Sequence, residues 1–76
     1  MRDLVLWLAQ QLVEDKAAVK VEAIERDRST VLELTVAPDD LGRVIGRGGR
    51  TAKALRTVVE ASARARGRRV VLDILD

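Results

Sequence analysis

The chain has 76 residues, 47% of them hydrophobic, enough to bury the core of one small globular domain. It contains no cysteine and no histidine, which excludes disulfides and argues against a zinc site or a nucleophile–base pair of the usual kind. Although the net charge is only +2, residues 43–69 hold nine basic side chains and one acidic one, a local charge of +8. This one-sided basic segment is typical of a nucleic-acid binder.

The first predicted element is a helix over residues 2–14, whose apolar residues recur at the spacing of one helical face. Trp7 is the only aromatic residue and projects from the opposite side. We interpret Trp7 as a half-buried packing residue or a partner contact, because it lies far along the chain from the glycine-rich segment described below. Stacking on a base is the alternative interpretation. No apolar run approaches the length needed to span a membrane, so a cytoplasmic protein is expected.

Two strands are predicted next, over residues 19–26 and 29–36, and a short connection joins them as an antiparallel hairpin. The second strand alternates clearly between apolar and polar residues. In the first strand Ile24 is out of phase with the preceding apolar residues, which indicates a bulge.

A short helix is predicted over about 39–45, where Asp39 and Asp40 are interpreted as capping residues and not as an acid–base pair. A longer helix is predicted over 50–66. Its predicted apolar side consists of Ala54, Leu55, Val58, Val59, Ser62 and Ala65.

A last strand is predicted over residues 69–75, after Gly67 ends the long helix. The element order is therefore α-β-β-α-α-β. Because two helices connect the second and third strands, these strands are expected to be parallel. The sequence thus predicts an α+β fold with a three-stranded mixed sheet covered on one face by three helices.

The glycine-rich stretch Val-Ile-Gly-Arg-Gly-Gly occupies residues 44–49, between the two predicted helices. Gly46 and Gly49 bracket a G-x-x-G loop, in which the missing side chains permit a tight turn and close approach by another molecule. Arg47 presents a planar guanidinium suited to phosphate. The following helix begins with unpaired N–H donors and a positive dipole end. Together these features predict a cradle for a phosphate backbone.

Other glycine-rich loops fit this stretch less well. A P-loop requires a Gly-Lys-Ser/Thr ending, whereas position 50 is arginine. A dinucleotide-binding fingerprint requires a third glycine where Thr51 stands, and it must follow a strand. A simple glycine turn between two helices, without a ligand, remains an alternative, although three glycines and Arg47 exceed what such a turn needs.

The stretch between two helices resembles the V-I-G-x-x-G signature of KH domains, and the preceding helix and strand resemble the type II arrangement of that fold. The lead-in Pro-Asp-Asp-Leu-Gly-Arg at 38–43, the exit Gly-Arg-Thr at 49–51 and the ending Arg-Arg-Val-Val-Leu at 68–72 look like the KhpA family of stand-alone bacterial KH proteins. The resemblance covers the whole chain and implies a single KH domain over residues 1–76.

In that family the loop clamps the backbone of about four single-stranded RNA nucleotides, and an adjacent apolar groove receives the bases. The resemblance implies an RNA chaperone that acts in cell-envelope and cell-length control. No constellation of residues in the sequence indicates an enzyme, and no metal or cofactor is expected. Its expected partners are a second copy or a KhpB-like KH protein. The alternative is a KH-fold protein-interaction module whose RNA contact is secondary. The residues expected to contact RNA are Arg43, Val44, Ile45, Gly46, Arg47, Gly48, Gly49, Arg50 and Lys53.

Overall fold

The computed structural model describes all 76 residues and contains three α-helices and three strands. Each element ends within two residues of its predicted boundary, and single turns of 3-10 helix lie in the connections. In chain order the elements are α1 (Arg2–Leu12), β1 (Lys20–Glu25), β2 (Thr30–Thr35), α2 (Leu41–Ile45), α3 (Arg50–Ala65) and β3 (Val70–Ile74). None of the helices is both long enough and apolar enough to cross a membrane.

The three strands form one mixed sheet in the order β1-β2-β3. Strand β2 is antiparallel to β1 and parallel to β3, as the hairpin and the two-helix crossover predicted. The core-facing strand side chains alternate with more exposed ones, because successive residues of a strand point to opposite faces. The helices cover only the core-facing side, which confirms the predicted α+β architecture. The buried strand residues are Val21, Leu32, Leu34, Val70 and Leu72.

The predicted bulge in β1 is wrong. Strand β1 pairs with β2 residue by residue, without an inserted residue, from Lys20 opposite Thr35 to Glu25 opposite Thr30. Ile24 is out of phase because it lies on the uncovered face of the sheet, next to Val31, which in turn neighbours Val71 of β3. A row of apolar side chains across the open face therefore explains the pattern that indicated a bulge.

The face of α3 that packs against the core agrees only in part with the apolar side predicted from the sequence. Leu55 and Val59 are buried as predicted, but Val58 is 45% exposed and Ala54 is also exposed. The apolar stripe of this helix is wider than its contact with the sheet, so periodicity alone misjudged the rotation of the helix. The buried residues of α3 are Ala52, Leu55, Val59 and Ala63.

Candidate nucleic-acid interface

The loop Gly46–Gly49 joins the end of α2 to the start of α3. Its backbone is closed by hydrogen bonds from the Gly46 N–H to the Gly42 carbonyl at 2.9 Å and from the Gly49 N–H to the Gly46 carbonyl at 3.1 Å. Gly46, Gly48 and Gly49 have φ angles of +76°, +63° and +77°. Residues with a Cβ avoid this region, so the conformation of the loop depends on its glycines.

The glycines of the loop differ in what surrounds them. A Cβ added to Gly46 would stand 2.2 Å from Oγ1 of Thr51 and 2.9 Å from its backbone nitrogen, so Gly46 lies directly against the first turn of α3. A Cβ added to Gly48 or Gly49 would meet no atom within 4 Å. The loop is therefore anchored on one side by Gly46 and presents bare backbone to solvent at Gly48 and Gly49.

Three cationic side chains surround this open backbone without an acidic partner. Arg47, Arg50 and Lys53 are exposed, and every ion pair of the structure involves either Arg2 or Arg43. The N-terminus of α3 has Gly49 as its cap, with no side-chain hydrogen bond to its first N–H groups. The positive end of the helix dipole thus adds to three free cations beside the loop, an arrangement that attracts phosphate.

The remaining predicted site residues occupy different environments. Val44 is 0% exposed, so its side chain belongs to the core and has no surface to offer RNA. Ile45 is partly buried at the entrance to the loop. Arg43 is exposed, but its guanidinium contacts the carboxylate of Glu14 and lies 3.3 Å from Oδ1 of Asp40. The structure thus brings the loop Gly46–Gly49 together with Arg50 and Lys53, and it directs Arg43 toward acidic side chains.

Asp40 connects α2 to the segment that follows α1. Its carboxylate accepts hydrogen bonds from the backbone N–H groups of Glu14 at 3.1 Å and Asp15 at 3.0 Å, and the residue is only 3% exposed. The side chain makes no helix-capping hydrogen bond, so the capping interpretation is wrong. The N–H groups of Asp15 and Glu14, with a smaller contribution from Arg43, hold the pKa of Asp40 below its ordinary value.

Trp7 lies closer to the loop than its place in the sequence indicated. The indole is 57% exposed and borders an apolar groove of about 340 Å³ between α1 and α3. Thr51, the second residue after the loop, lines the same groove. The signal available in the sequence was the position of Trp7 on the polar side of α1, but only the packing of α1 against α3 shows what it faces. The other residues lining the groove are Leu8, Gln11, Leu12, Ala54, Leu55 and Val58.

Comparison with known proteins gives a consistent result. A family model described as KhpA/KhpB, KH domain, matches residues 2–74. A protein of Halalkalibacterium halodurans named RNA-binding protein KhpA is 50% identical over 76 residues, which is all of both chains. A protein of the same name from Aquifex aeolicus is 47% identical over 76 residues, covering all of this chain and 96% of the relative. A third, from Leifsonia xyli, is 55% identical over 65 residues, covering 86% of this chain and 83% of the relative.

Among solved structures, a crystal structure of an Era variant from Aquifex aeolicus superimposes with a TM-score of 0.66 and 20% sequence identity. The match covers 96% of this chain but only 28% of the Era chain, and at this identity it shows a shared fold alone. The relatives named above carry the name of an RNA-binding protein, and none is named as an enzyme. Since the family model spans nearly every residue and the relatives from Halalkalibacterium halodurans and Aquifex aeolicus match over the whole of this chain, the chain belongs to the KhpA/KhpB family of KH domains.

Proposed function

We propose that this protein binds single-stranded RNA by clamping its sugar-phosphate backbone against the loop Gly46–Gly49. The observation that carries the proposal is the bare backbone at Gly48 and Gly49, surrounded by cations that have no acidic partner. Membership of a family whose curated relatives are named RNA-binding proteins supports the same conclusion. No covalent chemistry is part of this function.

In the proposed complex the phosphates lie against the loop, because its backbone admits them to hydrogen-bonding distance without steric conflict. Arg47 lies within the loop, and Arg50 and Lys53 follow on the first turns of α3, so all three contribute charge-assisted contacts. The partly buried side chain of Ile45 provides apolar surface for the bases. Such a clamp holds about four nucleotides, so a single unit binds weakly. Val44 supports the loop from the core and does not touch RNA.

The proposed role is that of a cytoplasmic RNA chaperone or post-transcriptional regulator, acting in cell-envelope and cell-length control. Two clamps on one strand bind more tightly than one, provided that both reach it, so we propose that the protein pairs with a second copy or with a KhpB-like KH protein. The second candidate function is a protein-interaction module whose RNA contact is secondary. The exposed groove around Trp7 is the observation that favours this alternative.

The clamp is tested with the double variant Arg47→Asp/Gly48→Asp. Neither new side chain meets another atom, because Arg47 is exposed and a Cβ at Gly48 points into open space. The positive φ of Gly48 strains any side chain, but aspartate adopts it more readily than most residues, so the variant should fold. Two carboxylates would then face the phosphate oxygens, so RNA binding should be abolished. Fluorescence anisotropy with a labelled single-stranded RNA pool measures the affinity, and circular dichroism verifies folding.

The matched control is Arg47→Asn/Gly48→Asn, which places side chains of the same shape at the same positions without negative charge. It should retain weak binding with a shallower salt dependence, because a cation is lost and no repulsion is added. Undiminished RNA affinity in the folded aspartate variant would contradict the clamp. A folded aspartate variant that loses RNA but still binds a protein partner would separate the two functions.

A further inference from the structure

Part of the basic charge lies at the far end of α3 from the loop. Arg64 stands in the last turn of α3, and Arg68 and Arg69 lead into β3. We call these three residues the arginine end. All three are exposed, and together with Glu60, Val70 and Val71 they line a cleft of about 410 Å³. The cleft is distinct from both the loop and the groove around Trp7.

The charges of the arginine end are not neutralised within the chain. None of the three arginines forms an ion pair, although Glu60 borders the same cleft. An adjoining cleft of about 360 Å³ brings Arg26 and Arg28 of the β1–β2 turn next to Arg68 and Arg69. Its acidic members are Glu25 and Asp27, so arginines outnumber carboxylates across the two clefts. Free guanidinium groups at this density are available to an external anion.

A continuous surface of α3 links the arginine end to the loop. Positions 50, 53, 57, 61 and 64 follow one another at steps of three or four residues and are all exposed, so they form one stripe opposite the buried face. Arg50 and Lys53 lie at its start and Arg64 at its end. A helix of 16 residues is about 24 Å long, which equals the rise of roughly seven stacked nucleotides.

We propose that the arginine end is a second, sequence-independent phosphate-binding region, which holds RNA that extends beyond the nucleotides in the loop. The inference rests on the proposed clamp function and adds a longer footprint to it. RNA backbone is favoured over an acidic protein because Arg64, part of the arginine end, closes the stripe of α3 that begins at the loop. A strand that runs along the stripe would carry phosphates to the cations at both of its ends, with the uncharged Thr57 and Ala61 between them.

The test compares Arg64→Gln/Arg68→Gln with wild type on randomised single-stranded RNAs of about 4 and about 18 nucleotides, of which only the longer extends beyond one clamp. The variant should bind the longer RNA about tenfold more weakly, and the slope of log K against log salt should fall by about 1.4, since each lost contact removes about 0.7. Affinity for the shorter RNA should stay within about twofold of wild type.

Two controls make the result specific. Lys16→Gln/Lys20→Gln removes two exposed cations outside the arginine end and should change the affinity for both lengths by the same factor. Arg47→Asp/Gly48→Asp should abolish binding of the shorter RNA, so a failure of the clamp itself appears in a separate measurement. Equal losses on both lengths in the Arg64/Arg68 variant, or no loss on either, would overturn the proposal. If the Arg64/Arg68 variant loses affinity for neither length, an acidic protein becomes the candidate ligand of the arginine end.

Discussion

Among single residues, Gly46 combines two requirements that only glycine meets. Its φ and ψ of +76° and 171° lie in a region that is essentially restricted to glycine. Its α-carbon also lies so close to Thr51 that a methyl group would overlap the threonine side chain and backbone. Gly48 shares the positive φ but has open space around it, which makes it a natural comparison.

We predict that Gly46→Ala destabilises the protein more than Gly48→Ala. Backbone strain at Gly46 costs about 1–3 kcal/mol, and displacement of the first turn of α3 adds to it. At Gly48 only the left-handed conformation is penalised, by about 1–2 kcal/mol. Urea denaturation of the two variants measures the difference in unfolding free energy. Equal losses would show that the contact with Thr51 relaxes without cost.

Asp40 is the residue whose role was least visible in the sequence. It is buried by the fold, and its carboxylate accepts from two backbone N–H groups that lie 25 and 26 residues away. These bonds hold the segment after α1 against α2, and thereby position the helix that leads into the loop. The carboxylate must be ionised to accept both bonds and to pair with Arg43.

This arrangement predicts acid sensitivity. The pKa of Asp40 in the folded protein lies below the ordinary value of 3.8, so the stabilisation is fully present above pH 3.8. It is lost as the pH falls through the lower pKa of the folded state, where the carboxylate becomes protonated. Asp40→Asn should therefore be less stable than wild type at neutral pH and should lose less stability on acidification. Thermal melts between neutral and acidic pH check this. An equal fall in melting temperature on acidification of the two proteins would contradict this prediction.

At the scale of elements, α3 presents different surfaces to different neighbours. One face is buried against the sheet, one side borders the groove with Trp7, and the outward stripe carries Arg50, Lys53 and Arg64. On a further side, Nε of Arg56 donates to the Leu72 carbonyl of edge strand β3 at 3.4 Å. The helix thus connects the core, the groove around Trp7 and the proposed RNA surface.

We predict that the two cations at the start of α3 determine affinity and not base preference. Arg50→Ala or Lys53→Ala should weaken binding of all RNA sequences similarly and lower the salt slope by about 0.7, the value for one contact with a single strand. Arg43→Ala should leave the salt slope unchanged, because its guanidinium is engaged by Glu14 and Asp40. Salt titrations of RNA binding measure the slopes. A variant at position 50 or 53 with altered base preference and an unchanged slope would refute the assignment.

At the scale of the whole molecule, opposite charges lie on opposite surfaces. Glu22, Glu33 and Asp73 occupy neighbouring positions across the three strands on the face of the sheet that no helix covers. The cations of the loop and of α3 lie on the helical side. Such a charge separation orients the protein as it approaches RNA, because the polyanion repels the sheet face and attracts the helical side.

We predict that the protein assembles through the groove around Trp7 and does not act as a monomer. An exposed indole beside Val58 offers apolar surface that a second KH unit would cover. Trp7→Gln should shift the sedimentation coefficient to that of a monomer and weaken binding of long RNA through lost avidity. Val71→Gln, at an exposed apolar residue on the sheet face, is the matched control and should leave the assembly unchanged.

The same measurement distinguishes a protein contact from a base contact. If Trp7→Gln reduces binding of a short RNA while the sedimentation coefficient stays at its wild-type value, the groove receives bases and not a partner. Pairing is not required for function if the wild-type protein sediments as a monomer with full RNA affinity and no protein partner is recovered with it from cell extract.

Much of the fold was accessible from the sequence because it depends on local rules. Apolar periodicity placed every helix and strand within two residues, and the order of elements required an antiparallel hairpin and a parallel crossover. The glycines from 46 to 49 indicated a tight loop, and the positive φ values that the structure shows at three of them are ones that glycine tolerates. The excess of basic over acidic residues between positions 43 and 69 can be counted directly from the sequence.

Tertiary structure decided what each local feature faces. Ile24 lies on the open face of the sheet. The carboxylate of Asp40 accepts hydrogen bonds from backbone N–H groups after α1. Trp7 borders a groove against α3, near the loop. Periodicity shows that a surface is apolar but not which element covers it. Contacts between residues far apart in the chain depend on how helices rotate and pack on the sheet, and that arrangement is set by the whole core at once.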